Sequence, residues 1–136
     1  MPSPMSTTVL VFGTFDLFHQ GHEYFLSEAK KHGDRLVVVV ARDNNVRRIK
    51  DQRPQDNEQL RLARVQAFGA VDEARLGYED WSRHRDVLHD VRPDVICLGY
   101  DQQDTLPQGP WRVVRIDAFY PEQYKSSLLR SPNGVV

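Results

Sequence analysis

Val9-Leu10-Val11-Phe12-Gly13-Thr14-Phe15-Asp16-Leu17-Phe18-His19-Gln20-Gly21-His22 passes from an unbroken apolar run through a glycine and a turn to a pair of histidines. An apolar run without polar alternation suits a strand buried on both faces, as in a parallel sheet covered by helices. Two later runs match it, Leu36-Val37-Val38-Val39-Val40 and Val95-Ile96-Cys97-Leu98, both rich in β-branched residues. Shorter candidates run from Val71 to Leu76 and from Trp111 to Ile116. Between the strands, Phe25, Leu26 and Ala29, then Leu60, Ala63, Ala67 and Phe68, then Val87, Leu88 and Val91 recur at helical spacing. The expected order is β-α-β-α-β-α-β-α-β with right-handed crossovers. That is a single α/β domain, a Rossmann-like doubly wound five-stranded parallel sheet. Such sheets bind ligands beyond the carboxyl ends of the strands, where the strand order reverses.

The chain of 136 residues fits one core. The domain is expected over 8–130, with residues 1–7 a flexible leader and 131–136 a C-terminal tail. Apolar residues at 40% and charged residues at 27% exclude extensive disorder and fibrous architectures. A net charge of -1 supplies no global attraction for nucleic acid or acidic lipid, so any anion site must be local. One basic cluster runs from Arg42 through Arg47, Arg48, Lys50 and Arg53 to Arg61 and Arg64; alone, it reads equally well as a solvated face. Cys97 is the only cysteine, which rules out an internal disulfide, and its apolar neighbours suit a buried residue. Met1-Pro2-Ser3-Pro4 shows no secretory h-region and no run approaches the ~20 apolar residues of a span, so a cytoplasmic location without membrane contact is expected.

The histidines follow the first strand at once, with a helix expected to begin between Gln20 and Glu23. A glycine, a turn and a helix start form an anion site, because free backbone N–H groups and the positive end of the helix dipole point into the crevice. His19 and His22, three residues apart, fall on one face of a first helical turn. Gly21 between them lets a phosphate approach the backbone. Imidazoles there can donate to phosphate oxygens and stabilise charge developing at phosphorus. With five histidines and eight glycines in the chain, an HxGH pattern is expected by chance about 0.01 times. Zinc is the rival ligand for a histidine pair, but no HExxH or CxxC spacing supplies further ligands. Neither GxxxxGK[ST] nor GxGxxG is present, which disfavours a P-loop kinase and a dinucleotide dehydrogenase. Asp16 suits a role in orienting the first loop, since Asp readily accepts backbone N–H bonds in turns. Trp81 and Trp111 read as packing residues.

The opening GTFDLFHQGH resembles that of the HxGH nucleotidyltransferase superfamily, within it the cytidylyltransferase-like group. The resemblance continues through Val39 to Asp43, Val46 to Lys50, Arg53-Pro54, Val71-Asp72 and Arg92 to Gln102, and spans Val9 to Arg130. The ARDxxVxxIK stretch and Gly99-Tyr100-Asp101-Gln102 are most similar to archaeal-type FAD synthases, which are FMN adenylyltransferases, with glycerol-3-phosphate cytidylyltransferase a cousin. Tyr124-Lys125-Ser126-Ser127-Leu128-Leu129 resembles the group's closing Ser/Thr segment but departs from the cytidylyltransferase form RTExISTT, which weakens a CTP reading.

The resemblance implies transfer of a nucleoside monophosphate from a nucleoside triphosphate to a phosphate-bearing acceptor, with release of pyrophosphate; ATP and FMN are the favoured pair. It implies catalytic roles for His19, His22, Lys50 and Arg61, the last two directed at phosphate. Nucleotide contacts are implied at Gly13, Thr14, Phe15, Asp16, Gly21, Gly99, Asp101, Lys125, Ser126 and Ser127. Asp101, expected at the ligand edge of the fourth strand, suits Mg²⁺ or another divalent cation, or the ribose; a helix cap is its bland alternative. CTP with glycerol 3-phosphate or another alcohol phosphate is the runner-up, and a non-catalytic nucleotide sensor is the alternative of another class. Relatives commonly form homodimers, although a chain of this size can bury sufficient surface alone.

Overall fold

The computed structural model describes residues 6–100, 102 and 106–117, with residues 49 and 50 by their backbone alone. The elements are β1 (Thr8–Gly13), α1 (Gln20–Lys30), β2 (Arg35–Val40), α2 (Asp43–Lys50), α3 (Glu58–Ala67), β3 (Glu73–Leu76), a 3₁₀ turn (Trp81–Asp86), α4 (Val87–Val91), β4 (Val95–Leu98) and β5 (Arg112–Arg115). All five strands pair in parallel, in the order β3-β2-β1-β4-β5.

Side chains alternate across the three central strands, so each feeds two cores. Val9 and Val11 of β1, Leu36, Val38 and Val40 of β2, and Val95 and Cys97 of β4 face α1 and α3, meeting Leu26, Ala29 and Val65. Leu10, Val37, Val39, Ile96 and Leu98 face the other way, onto Val87 and Leu88 of α4. This two-sided burial is why the strands carry continuous apolar runs. Cys97 lies fully inside the first core, and burial pushes its thiol up to about 11, so it is inert packing.

From β1 the chain steps outward to β2 and β3 with α1 and α3 on one face. It then returns across β1 to β4 with α4 on the opposite face. The reversal lies between β1 and β4, which cease to pair after Val11↔Cys97, and in sheets of this class ligands bind beyond the carboxyl ends of the strands at such a point. The opposite edge is stitched by three aspartates, each one residue ahead of a strand. Asp34 accepts from Thr7 N (2.8 Å), Asp94 from Thr8 N (2.8 Å), and Asp72 from Leu36 N (2.7 Å).

Two expectations change. The order carries two helices, α2 and α3, between β2 and β3, and no helix among the described residues between β4 and β5. Gly99, Pro107, Gly109 and Pro110 punctuate that last connection, which suits turns rather than a helix. Thr7, placed in the expected leader, is held instead: its carbonyl accepts from Asp34 N and Arg35 N and its N–H is spent on Asp34. The tryptophans pack as expected, Trp81 stacking on His84 with ring centroids 4.2 Å apart and Trp111 lying against the second core.

Candidate active site

Residues 13–19 carry the chain from the end of β1 to the start of α1. Two non-glycine residues there, Phe15 (φ 55°) and Leu17 (φ 50°), take left-handed backbone, a conformation costing on the order of 1–3 kcal/mol each and persisting only where surroundings fix it. The Phe15 ring is one of those fixings: it is 4% exposed and belongs to the first core. Gly13 makes room for it, since a Cβ there would fall 2.6 Å from the Phe15 ring. Phe15, expected at the nucleotide, is therefore a packing side chain.

His19 is the N-cap of α1. Its Nδ1 accepts from Gly21 N (3.0 Å), while Nδ1 of His22, at the third helical position, accepts from His19 N (3.2 Å). The pair thus forms a reciprocal capping box, built from imidazoles instead of the usual Ser/Thr and Glu/Gln. The chemistry follows from the geometry. A ring whose Nδ1 accepts a hydrogen bond carries its proton on Nε2, so both histidines are held in the tautomer that presents Nε2–H as donor. The rings stack with centroids 3.9 Å apart. Phe18 stacks on the far side of His22 (5.5 Å) and the Phe15 ring meets it edge-on (5.5 Å), fixing that imidazole in orientation. His19 is exposed.

A second set of bonds ties this loop to the connection between α2 and α3. The Asp16 carboxylate accepts from Gln55 N (2.8 Å) and Asp56 N (2.9 Å). Burial alone would raise the Asp16 carboxyl, but these two N–H groups and the nearby Arg61 charge outweigh it and hold it below its ordinary value. Arg61, expected to reach phosphate, has 0% exposure. Its Nε donates to Asp56 O (3.0 Å), Nη1 to Thr14 O (2.9 Å) and Ala41 O (2.8 Å), and Nη2 to Asp43 (2.6 Å). The structure therefore corrects its placement: the guanidinium is a buried tether of the loops after β1 and β2, because three carbonyls and a carboxylate absorb its donors.

Asp43 and Glu58, neither singled out by sequence reasoning, lock α2 to α3. Each sits at the first position of its helix and accepts the backbone N–H of the other, at 3.2 Å and 2.9 Å. Arg42 adds bonds to Glu58 (3.0 Å) and to Gly77 O (2.8 Å). The basic cluster of the sequence is accordingly split: Arg42, Arg61 and Arg64 are ion-paired within the fold, whereas Arg47, Arg48 and Arg53 are exposed. A visible signal for α3 was Asn57, whose side chain caps Leu60 N (2.9 Å).

Across the crevice, Gly99 follows β4 and is fastened by Gln102 and Arg115. The sheet thus brings Gly13, Thr14, Asp16, His19, Gly21 and His22 to one side of the β1/β4 reversal and Gly99 to the other. Lys50 ends α2, with only its backbone described. Asp101, Lys125, Ser126 and Ser127 lie outside the described residues. Among the described residues no group of three or more His, Cys, Asp or Glu is placed to hold a metal ion. The carboxylates of Asp16, Asp43, Asp56 and Glu58 are engaged by backbone N–H groups or arginines. No described helix is long and apolar enough to cross a membrane.

The family model described as cytidylyltransferase-like matches residues 10–127. The chain is 46% identical over 124 residues to the FAD synthase of Methanosarcina acetivorans, covering 85% of this chain and 80% of that one. It is 50% identical over 95 residues to the FAD synthase of Aciduliprofundum boonei, covering 70% of this chain and 62% of that one. Among solved structures, the lipopolysaccharide core biosynthesis protein from Thermoplasma volcanium superposes with a TM-score of 0.75 at 36% identity, covering 85% of this chain and 99% of that one. With the HxGH segment at the start of α1 and the strand reversal beside it, the chain belongs to the cytidylyltransferase-like family of nucleotidyltransferases.

Proposed function

We propose that this chain transfers AMP from ATP to FMN, forming FAD and pyrophosphate. The observation that carries the reading is the reciprocal His19/His22 cap at the start of α1, in a chain 46% identical to an FAD synthase. An oxygen of the FMN phosphate attacks the α-phosphorus of ATP. The bond from that phosphorus to the bridging oxygen breaks, and pyrophosphate leaves with the electron pair. The nucleophile is already ionised, so no protein nucleophile or general base is required.

What the protein must supply is positioning of two polyanions and a field that offsets their repulsion. The free N–H groups and dipole of α1 face the triphosphate, and Nε2–H of His19 and His22 donates to its oxygens as charge builds in the transition state. Gly21 keeps that approach open. Lys50, at the end of α2, is assigned to phosphate as a point charge, and Arg61 acts indirectly by holding Thr14 and Ala41 where the loops need them. Gly99, Asp101 and Lys125-Ser126-Ser127 are assigned to the nucleotide.

The described residues do not form a metal cage. Mg²⁺ binds mainly through substrate phosphates with one or two carboxylates, and Asp101 is assigned as its protein ligand, with the ribose the alternative contact; when bound, the ion would neutralise phosphate charge. Chromatography of reactions containing the purified protein, Mg²⁺, ATP or CTP, and FMN or glycerol 3-phosphate tests the reading. It expects FAD from ATP plus FMN. No dinucleotide from FMN, or product only from CTP plus glycerol 3-phosphate, overturns it.

A further inference from the structure

Pairing between β1 and β4 runs from Val9↔Val95 through Leu10↔Ile96 to Val11↔Cys97 and stops there, where the crevice opens. The next rung is made by a side chain. The Gln102 carboxamide donates from Nε2 to Phe12 O (3.2 Å) and accepts at Oε1 from Gly99 N (2.7 Å), so one donor and one acceptor stand where a peptide group would continue the ladder. Its backbone is fixed as well: Gln102 N donates to Gly99 O (3.1 Å), and Arg115 Nη1 donates to Gln102 O (2.7 Å) and Gly99 O (2.6 Å).

None of the described residues of this turn is buried. Tyr100 at its tip is 62% exposed, and its ring makes no contact with a described ring and no hydrogen bond with a described residue. Polar bonds, not packing, therefore set where the turn stands. On the other side of the rung, Phe12 immediately precedes Gly13 and the loop bearing His19 and His22.

We infer that Gln102 is a positioning residue for nucleotidyl transfer: its carboxamide couples the 99–102 turn to the end of β1 and sets the width of the crevice between that turn and the histidine loop. The inference rests on the proposed transfer reaction. Ala at 102 loses both bonds, and Asn is one methylene too short to keep them. Met keeps the length and bulk of Gln but has neither a donor for Phe12 O nor a carbonyl oxygen for Gly99 N.

The test compares wild type, Gln102→Met and Gln102→Ala at a temperature where circular dichroism shows all three folded. It measures ATP affinity by calorimetry without FMN, and kcat and KM for ATP with saturating FMN. Gln102→Met is expected to lose as much as Gln102→Ala, about tenfold or more in ATP affinity and in kcat/KM, because the two bonds and not the bulk of the side chain hold the turn. Either variant within about twofold of wild type in both quantities overturns the inference. If wild type forms no FAD while both variants show the deficit in ATP affinity, the acceptor assignment falls and the role of Gln102 stands.

Discussion

In the proposed reaction His19 and His22 each serve twice, through different ring nitrogens: Nδ1 caps the helix, and Nε2–H is assigned to the ligand. The spacing in the sequence points to two imidazoles on one face. It does not reveal that each spends a ring nitrogen on a backbone N–H, because that depends on the extended backbone at position 19. The two roles can be taken apart. Asn is a good N-cap without an imidazole, so His19→Asn is expected to keep folding stability within about 0.5 kcal/mol while losing on the order of 100-fold or more in kcat. His19→Ala is expected to lose similar activity and about 1 kcal/mol of stability besides. Denaturant titration beside steady-state kinetics reads both. Arg61 was legible as a residue of interest but not in its direction, because an Arg on an amphipathic helix reads as exposed. Its four bonds make Arg61→Ala expensive: removing it strands Asp43 beside three carbonyls, at a cost of about 3–5 kcal/mol in urea unfolding.

At the scale of elements, β1, β2 and β4 were readable because burial on both faces leaves no room for a polar residue within them. Helix α2 was not, since Asp43–Lys50 is mostly polar and its position depends on Asp43, Glu58 and Asn45 bonding to other segments. Such tertiary bonds leave no periodic trace. The Asp16 tether between the histidine loop and residues 55–56 has a pH signature. Its carboxyl is lowered below 3.8 in the fold, so the tether contributes stability above that value and loses it as pH falls through the lower, folded value. Asp16→Asn is therefore expected to be less stable than wild type at neutral pH and to converge with it at strongly acid pH. Thermal unfolding across an acid series measures this, and a constant gap between the two proteins would contradict it.

Over the whole molecule, the order β3-β2-β1-β4-β5 puts every residue assigned to the ligand by the first motif at one edge, while Asp34, Asp72 and Asp94 stitch the other. The doubly wound class followed from the alternation of strands and helices; those three aspartates did not stand out, because Asp before a strand is common in loops. The centre of the sheet carries the stability. Leu10→Ala, a fully buried change, is expected to cost about 2–5 kcal/mol without altering the nucleotide preference of the protein that remains folded. In the proposed reaction the capped histidine pair, set at the β1/β4 reversal, drives adenylyl transfer to FMN. Rapid-quench single turnover of wild type and His19→Asn with ATP, Mg²⁺ and FMN, following FAD directly, tests it most closely. Wild type is expected to form FAD rapidly, and the variant to show a chemical step slowed about 100-fold or more with ATP still bound; FAD formed at the wild-type rate by His19→Asn would contradict a catalytic role for the pair.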